Sequence, residues 1–230
     1  MTVVQPSDNA RDAVEFWSEV LDEPVSEELS SWISDRTHDL HFIWRDVRRM
    51  LRSREMWKAM SEQLELRDPT SAWTRNYDGL YFDSQLLSIT RSVHARNQSG
   101  HISLGRLLGE FAERPEMLGP VVTYRNLPEI AVAVDPLADK AHLGRQLRHL
   151  KTFRDKVVAH TERGADVPTI QWEDLDEAVD VVSEVFRRYS MRLTGINWKV
   201  EYDEPYRSAW KSIFTEPLFT DGENGQSPRQ

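Results

Sequence analysis

Apolar residues recur along this chain at helical rather than strand spacing, which predicts a mostly helical protein. Val14, Trp17 and Leu21 share one stripe over 10–21, a first short helix with Pro24 just beyond it. Ser26 is a capping residue, and Glu27 and Glu28 then sit in the first turn, where the helix dipole favours acids. Leu29, Trp32, Leu40, Ile43, Val47, Met50 and Leu51 carry the pattern on. A break is expected near Ser53, then a further helix to about Leu66, ended by Asp68-Pro69. The segment 72–97 carries two stripes: Trp73, Tyr77, Leu80, Ser84 and Leu87 on one side, Phe82, Leu86, Ile89 and Val93 on another. A helix apolar on two sides is expected at the centre of a bundle.

Ser103 caps a short helix carrying Leu104, Leu107, Leu108 and Phe111. Residues 113–136 hold Pro115, Pro120, Pro128 and Pro136, with β-like runs at 121–124 and 130–134. They predict an irregular excursion with a small hairpin. A long helix is expected over 136–163, with Gly164 as the residue just past its end. Asp174 and Glu177 form a capping-box-like start to a last long helix, reaching about Leu193 and closed by Gly195. Trp198, Tyr202, Tyr206, Trp210 and Phe214 are spaced by four. They predict an aromatic C-terminal arm laid across the bundle, with a base-stacking platform as the alternative. No internal repeat is present. The expectation is an all-α fold of four or more helices, a single domain over 1–219 and a disordered tail over 220–230.

Composition narrows the class. Hydrophobic residues make up 39% of the chain and charged residues 29%, a globular mix. No run of eighteen apolar residues occurs, and the first residues show neither a basic start nor an apolar run. A cytoplasmic protein without a membrane span is therefore expected. There is no cysteine, which excludes disulfides, thiolate metal sites and a cysteine nucleophile. The net charge of −9 argues against indiscriminate nucleic-acid binding. Its distribution says more. Between 140 and 163 stand Lys140, Arg145, Arg148, Lys151, Arg154, Lys156 and Arg163, against only Asp155 and Glu162, with His142, His149 and His160 among them. Arg45, Arg48, Arg49, Arg52 and Arg54 form a second basic run, and acids concentrate over 173–184.

On one regular helix, at about 100° per residue, His142, His149, Lys156 and His160 fall within about 20° of one line. Leu143, Leu147, Leu150, Val157 and Val158 lie about 60–160° around from it and form the core face. Arg154 falls in the middle of that apolar face. An arginine there needs a carboxylate, a set of carbonyls or an interface. One reading is an internal ion pair with Asp78 or Asp83. The other is that Arg154 points at an anion in a cleft or a dimer seam. His160 sits in the last turn, about 9 Å along the axis and about 120° around from Arg154. The helix end favours its protonated form, and the neighbouring cations oppose it.

The run Arg154-Asp155-Lys156-Val157-Val158-Ala159-His160 resembles the arginine–polar–spacer–histidine signature of HEPN domains. Tyr77-Asp78-Gly79-Leu80-Tyr81-Phe82-Asp83-Ser84-Gln85-Leu86-Leu87-Ser88-Ile89-Thr90-Arg91, followed by Ser103-Leu104-Gly105-Arg106-Leu107-Leu108, resembles the abortive-infection, AbiU-type branch. The likeness covers about 38–190. It implies a HEPN-like helical bundle and a metal-independent endoribonuclease of a defence or toxin system. It implies a homodimer with the motif at its seam, and an antitoxin or regulatory protein as partner. His160 would be the general acid or base, Arg154 would stabilise the phosphate and Asp155 would orient the pair. Lys156, Arg148, Arg145, His149 and Lys151 would hold flanking RNA phosphates. No cofactor or metal is implied. Two other stretches match the bare signature, Arg36 to His41 and Arg96 to His101; the basic helix, Lys156 and Ala159 select the copy at 154–160. Some HEPN toxins carry a modifiable tyrosine two residues past the histidine, where this chain has Glu162. A HEPN-type module that binds RNA, nucleotide or protein without catalysis remains the alternative.

Overall fold

The computed structural model describes residues 6–21, 24–67, 71–93, 102–118, 134–158 and 168–194. Among these residues there is no strand, and the fold is an all-α bundle of seven helices. They are α1 (Pro6–Leu21), α2 (Glu27–Arg67), α3 (Ala72–Val93), α4 (Leu104–Glu113), α5 (Pro136–Gln146), α6 (Arg148–Phe153) and α7 (Trp172–Thr194). A 3-10 turn, Pro115–Leu118, follows α4, and a π-helical turn, Arg154–Val158, follows α6. No described helix is long and apolar enough to cross a membrane. The expected hairpin runs lie outside the described residues, apart from Val134. The aromatic arm and the tail lie wholly outside them.

The capping chemistry is local. The backbone N–H of Leu29 donates to the Ser26 hydroxyl at 3.3 Å, and Arg106 donates to Ser103 at 3.2 Å. Asp135 accepts from Ala138 at 2.9 Å, with Pro136 in the first turn of α5. At α7 the assignment shifts. Asp174 is the third helical residue and accepts from the Gln171 backbone at 2.7 Å, the back-reaching half of a capping box.

α2 runs unbroken for 41 residues, so the break expected near Ser53 is absent. Contacts with other helices hold that region. Arg54 bonds the Asp180 carboxylate at 2.7 Å and the Asp176 carbonyl at 3.2 Å, while Gln85 donates to the Met50 carbonyl at 2.7 Å. Cross-links order the bundle. Trp44 stacks on Phe186, and Lys58 meets Asp176 at 2.6 Å, so α2 and α7 run antiparallel. Trp57 bonds Asp78 at 2.9 Å and Arg91 bonds Asp46 at 2.8 Å, so α3 is also antiparallel to α2. Arg188 and Tyr189 of α7 both bond Asp139 of α5, at 3.1 and 2.7 Å, and set α5 against α7. The Tyr189 hydroxyl is held in its neutral form by burial and by the carboxylate it donates to.

The core lies between these helices. It includes Leu40, Val47, Leu86, Ile89, Leu108, Phe111, Leu150, Val182, Phe186 and Tyr189, all fully buried. Two-sided apolarity did not place α3 at the centre. Phe82, Leu86, Ile89 and Val93 pack inward, but Leu80 is 63% and Leu87 47% exposed. Of the long helix expected over 136–163, the described residues 136–158 form three successive helical pieces rather than one. Leu147 is a turn residue between α5 and α6, although its amide still bonds Leu143 at 3.0 Å and its carbonyl still accepts from Lys151 at 3.0 Å.

Candidate functional site

The Arg154 turn is fixed by aromatic packing just before it. Phe153 ends α6 and meets the ring of Phe82 edge-on at 5.7 Å. Phe82 meets Trp172 at 5.3 Å, Trp172 stacks on Trp57 at 4.8 Å, and Trp57 stacks on Tyr81 at 4.7 Å. Four separate elements therefore converge on one aromatic cluster, and the chain leaves it at Arg154. Within the cluster, burial pushes the Tyr81 phenol up to about 12, partly offset by its bond with Gln85. The sequence pattern assigned no role to Trp57, Phe153 or Trp172. Phe82, in the inward stripe of α3, was the one member that the pattern pointed to.

At Arg154 the chain widens into the π-helical turn Arg154–Val158. Such a turn bonds i to i+5 and rotates each residue less than an α-helix does. The regular-helix offsets drawn from Arg154 onward therefore do not hold. π-Turns inside helices occur often at functional sites. The Arg154 side chain keeps only 15% of its surface and that of Asp155 44%. Arg154 Nε donates to Asp155 Oδ1 at 2.8 Å, and a second guanidinium nitrogen bonds the same oxygen. Among the described residues, the ion pair of Arg154 is thus with Asp155. Asp78 accepts from Trp57 instead. Val157, expected on the core face, is 41% exposed.

His160 lies outside the described residues. Lys156 is half-buried in the π turn. Arg145, Arg148 and Lys151 are exposed along α5 and α6, as phosphate-holding cations require. His149 is placed differently: its Nε2 is buried and faces Asp174 at 3.7 Å, beyond hydrogen-bonding distance. The structure therefore gathers Arg154, Asp155 and Lys156 into one turn and turns His149 towards the start of α7.

The competing match at Arg36 to His41 has another role. Arg36 is bound by Asp39 at 2.7 Å and by Glu110 of α4 at 2.9 Å, and its guanidinium lies 5.9 Å from the Trp32 ring. It is an internal strut between α2 and α4. The third match, ending at His101, lies outside the described residues. Among the described residues no group of three or more histidines or acids is arranged to hold a metal ion.

Compared with known proteins, the chain matches no family model, no curated protein and no solved structure. The likeness to HEPN domains rests on the motif residues themselves.

Proposed function

We propose that this chain is a metal-independent endoribonuclease of the HEPN type, acting in a defence or toxin-like system. The observation that carries the reading is the mostly buried Arg154, held by Asp155 on a π-helical turn and anchored by the aromatic cluster through Phe153. A guanidinium fixed in this way is a preorganised anion binder, with no reorganisation needed when charge develops. His160, six positions on, supplies the proton transfer. As general base it takes the proton of a ribose 2′-hydroxyl. The 2′-oxygen then attacks the adjacent phosphorus, and the 5′-oxygen leaves with a proton from water, the proton on His160 returning to solvent. The products are a 2′,3′-cyclic phosphate and a 5′-hydroxyl. Arg154 stabilises the charge on the phosphorus oxygens, and Arg145, Arg148 and Lys151 hold flanking phosphates.

The proposal includes a homodimer. Leu80 and Leu87, seven residues apart on α3, form an exposed apolar stripe on the helix against which the Arg154 turn packs. A second copy seated there pairs α3 with its counterpart in the partner. The non-catalytic reading keeps one supporting observation. Asp155 already satisfies Arg154, so an incoming phosphate must compete with it.

The deciding experiment digests mixed cellular RNA in EDTA with the wild type, His160→Ala and His101→Ala. Cleavage that leaves cyclic-phosphate ends and is lost only in His160→Ala is the expected result. A folded, dimeric wild type that leaves RNA intact removes the nuclease reading and leaves RNA binding.

A further inference from the structure

We infer that the outer face of α2 is a second nucleic-acid surface, a track for single-stranded RNA built from arginines and half-exposed rings. The RNA reading above supplies only the identity of the polyanion; the surface itself is drawn from α2. Placed on the helix at about 100° per residue, His38, His41, Phe42, Arg45, Arg49 and Arg52 fall within an arc of about 100°. Leu40, Ile43, Val47 and Met50, all buried, lie on the opposite side. From His38 to Arg52 the track is about 21 Å long. None of these residues belongs to the Arg154 turn.

Charge alone is a common property of solvated helix faces, and the rings distinguish this one. Phe42 is only partly buried. Among the described residues it is absent from the hydrophobic side chains that pack on the core. It packs on other members of the stripe: the His38 ring edge-on at 4.8 Å, the His41 ring at 6.3 Å and the Arg45 guanidinium at 5.2 Å. Two of the neighbouring acids, Asp39 and Asp46, are engaged at the flank, while Asp35 is exposed one turn before His38. Asp39 bonds Arg36 at 2.7 Å. Asp46 bonds Arg91 at 2.8 Å and is 3.9 Å from Arg49. Among the described residues, Arg45 has the Phe42 ring rather than a carboxylate as its partner. Cations that follow a backbone, interleaved with rings on which bases stack, are how proteins hold single strands without reading sequence. An acidic peptide would use the arginines and leave the rings unused. The basic face lies on a chain of net charge −9, which repels polyanions elsewhere and concentrates their binding here.

The test uses the full chain and a fluorescein-labelled 2′-O-methyl oligouridine of about 20 nucleotides, which lacks the attacking hydroxyl and cannot be cleaved. Anisotropy is followed across a salt series. Arg45→Glu/Arg49→Glu is expected to weaken binding at least about tenfold and to reduce the log–log salt slope by roughly 1.4, two single-strand phosphates' worth. Phe42→Ala is expected to weaken binding roughly tenfold with the slope unchanged, the signature of lost stacking. Circular dichroism confirms that each variant is folded. Wild-type affinity and slope in the double variant would overturn the track, as would a wild type that does not bind. Displacement by polyglutamate at equal charge would overturn it too, because charge alone would then explain the surface. Nuclease failure is read separately: a wild type that binds through α2 but cleaves nothing loses the nuclease proposal and keeps this one.

Discussion

Arg154 shows what residue-level arithmetic can and cannot deliver. Its position on an apolar helix face was legible because 100° steps from Leu143 and Leu150 place it there. The residue pattern alone offered Asp78 or Asp83 as its partner, and the resemblance named Asp155 as the orienting acid; Asp155 is the residue that meets Arg154, in a π turn. Of the rings beside it, Trp57, Phe153 and Trp172 were hidden, since they come from separate elements, while Phe82 stood in a stripe that the pattern marked. Arg154→Lys keeps the charge but loses the planar fork. It is expected to leave the fold intact and lower single-turnover RNA cleavage by roughly 10²–10³-fold. His41 gives a pH prediction. Burial, then the Arg45 and His38 charges, hold its imidazole below the ordinary 6.5. Between the lowered value and 6.5 the unfolded chain binds more protons than the folded one. That stability is present above about pH 6.5 and is lost as pH falls through the folded value. Urea midpoints of the wild type should drop below pH 6.5, and those of His41→Gln should drop less.

At the scale of elements, caps and ends were the most legible features. Ser26, Ser103 and the start at Pro136 stand where side-chain chemistry dictates, because a cap needs only neighbours in sequence. Continuity was less legible. α2 passes Ser53 because Arg54 and Gln85 tie that turn to α7 and α3. Leu147 interrupts the regular helix between α5 and α6, and no sequence signal marks that position. Leu80, Ser84 and Leu87 of α3 are exposed, because periodicity counts apolar faces but does not say what covers them. α3 also carries Gly79, where an added methyl group meets nothing within 4 Å. A mid-helix glycine costs about 0.5–1 kcal/mol relative to alanine. Gly79→Ala is therefore expected to raise unfolding stability by about that amount, measured by denaturant titration at low protein concentration.

For the whole molecule, the exposed Leu80 and Leu87 make self-association the first property to measure. Light scattering at tens of micromolar is expected to give twice the 26.8 kDa chain mass, and Leu80→Glu/Leu87→Glu to give the single-chain mass. A single-chain mass for the wild type counts against the dimer. Another whole-molecule feature joins the two ends of the described fold. Trp17 of α1 is 2% exposed, and its indole N–H donates to the Leu193 carbonyl at the close of α7, 2.6 Å away. Synthesis on the ribosome is vectorial, so α1 emerges first and waits for α7 before this bond can form. The 154–160 motif also leaves the ribosome before α7, whose Trp172 completes its aromatic anchor. A chain interrupted before α7 would carry the whole motif without the packing that shapes it. Translation itself thus delays assembly of the site until the last described helix has been made.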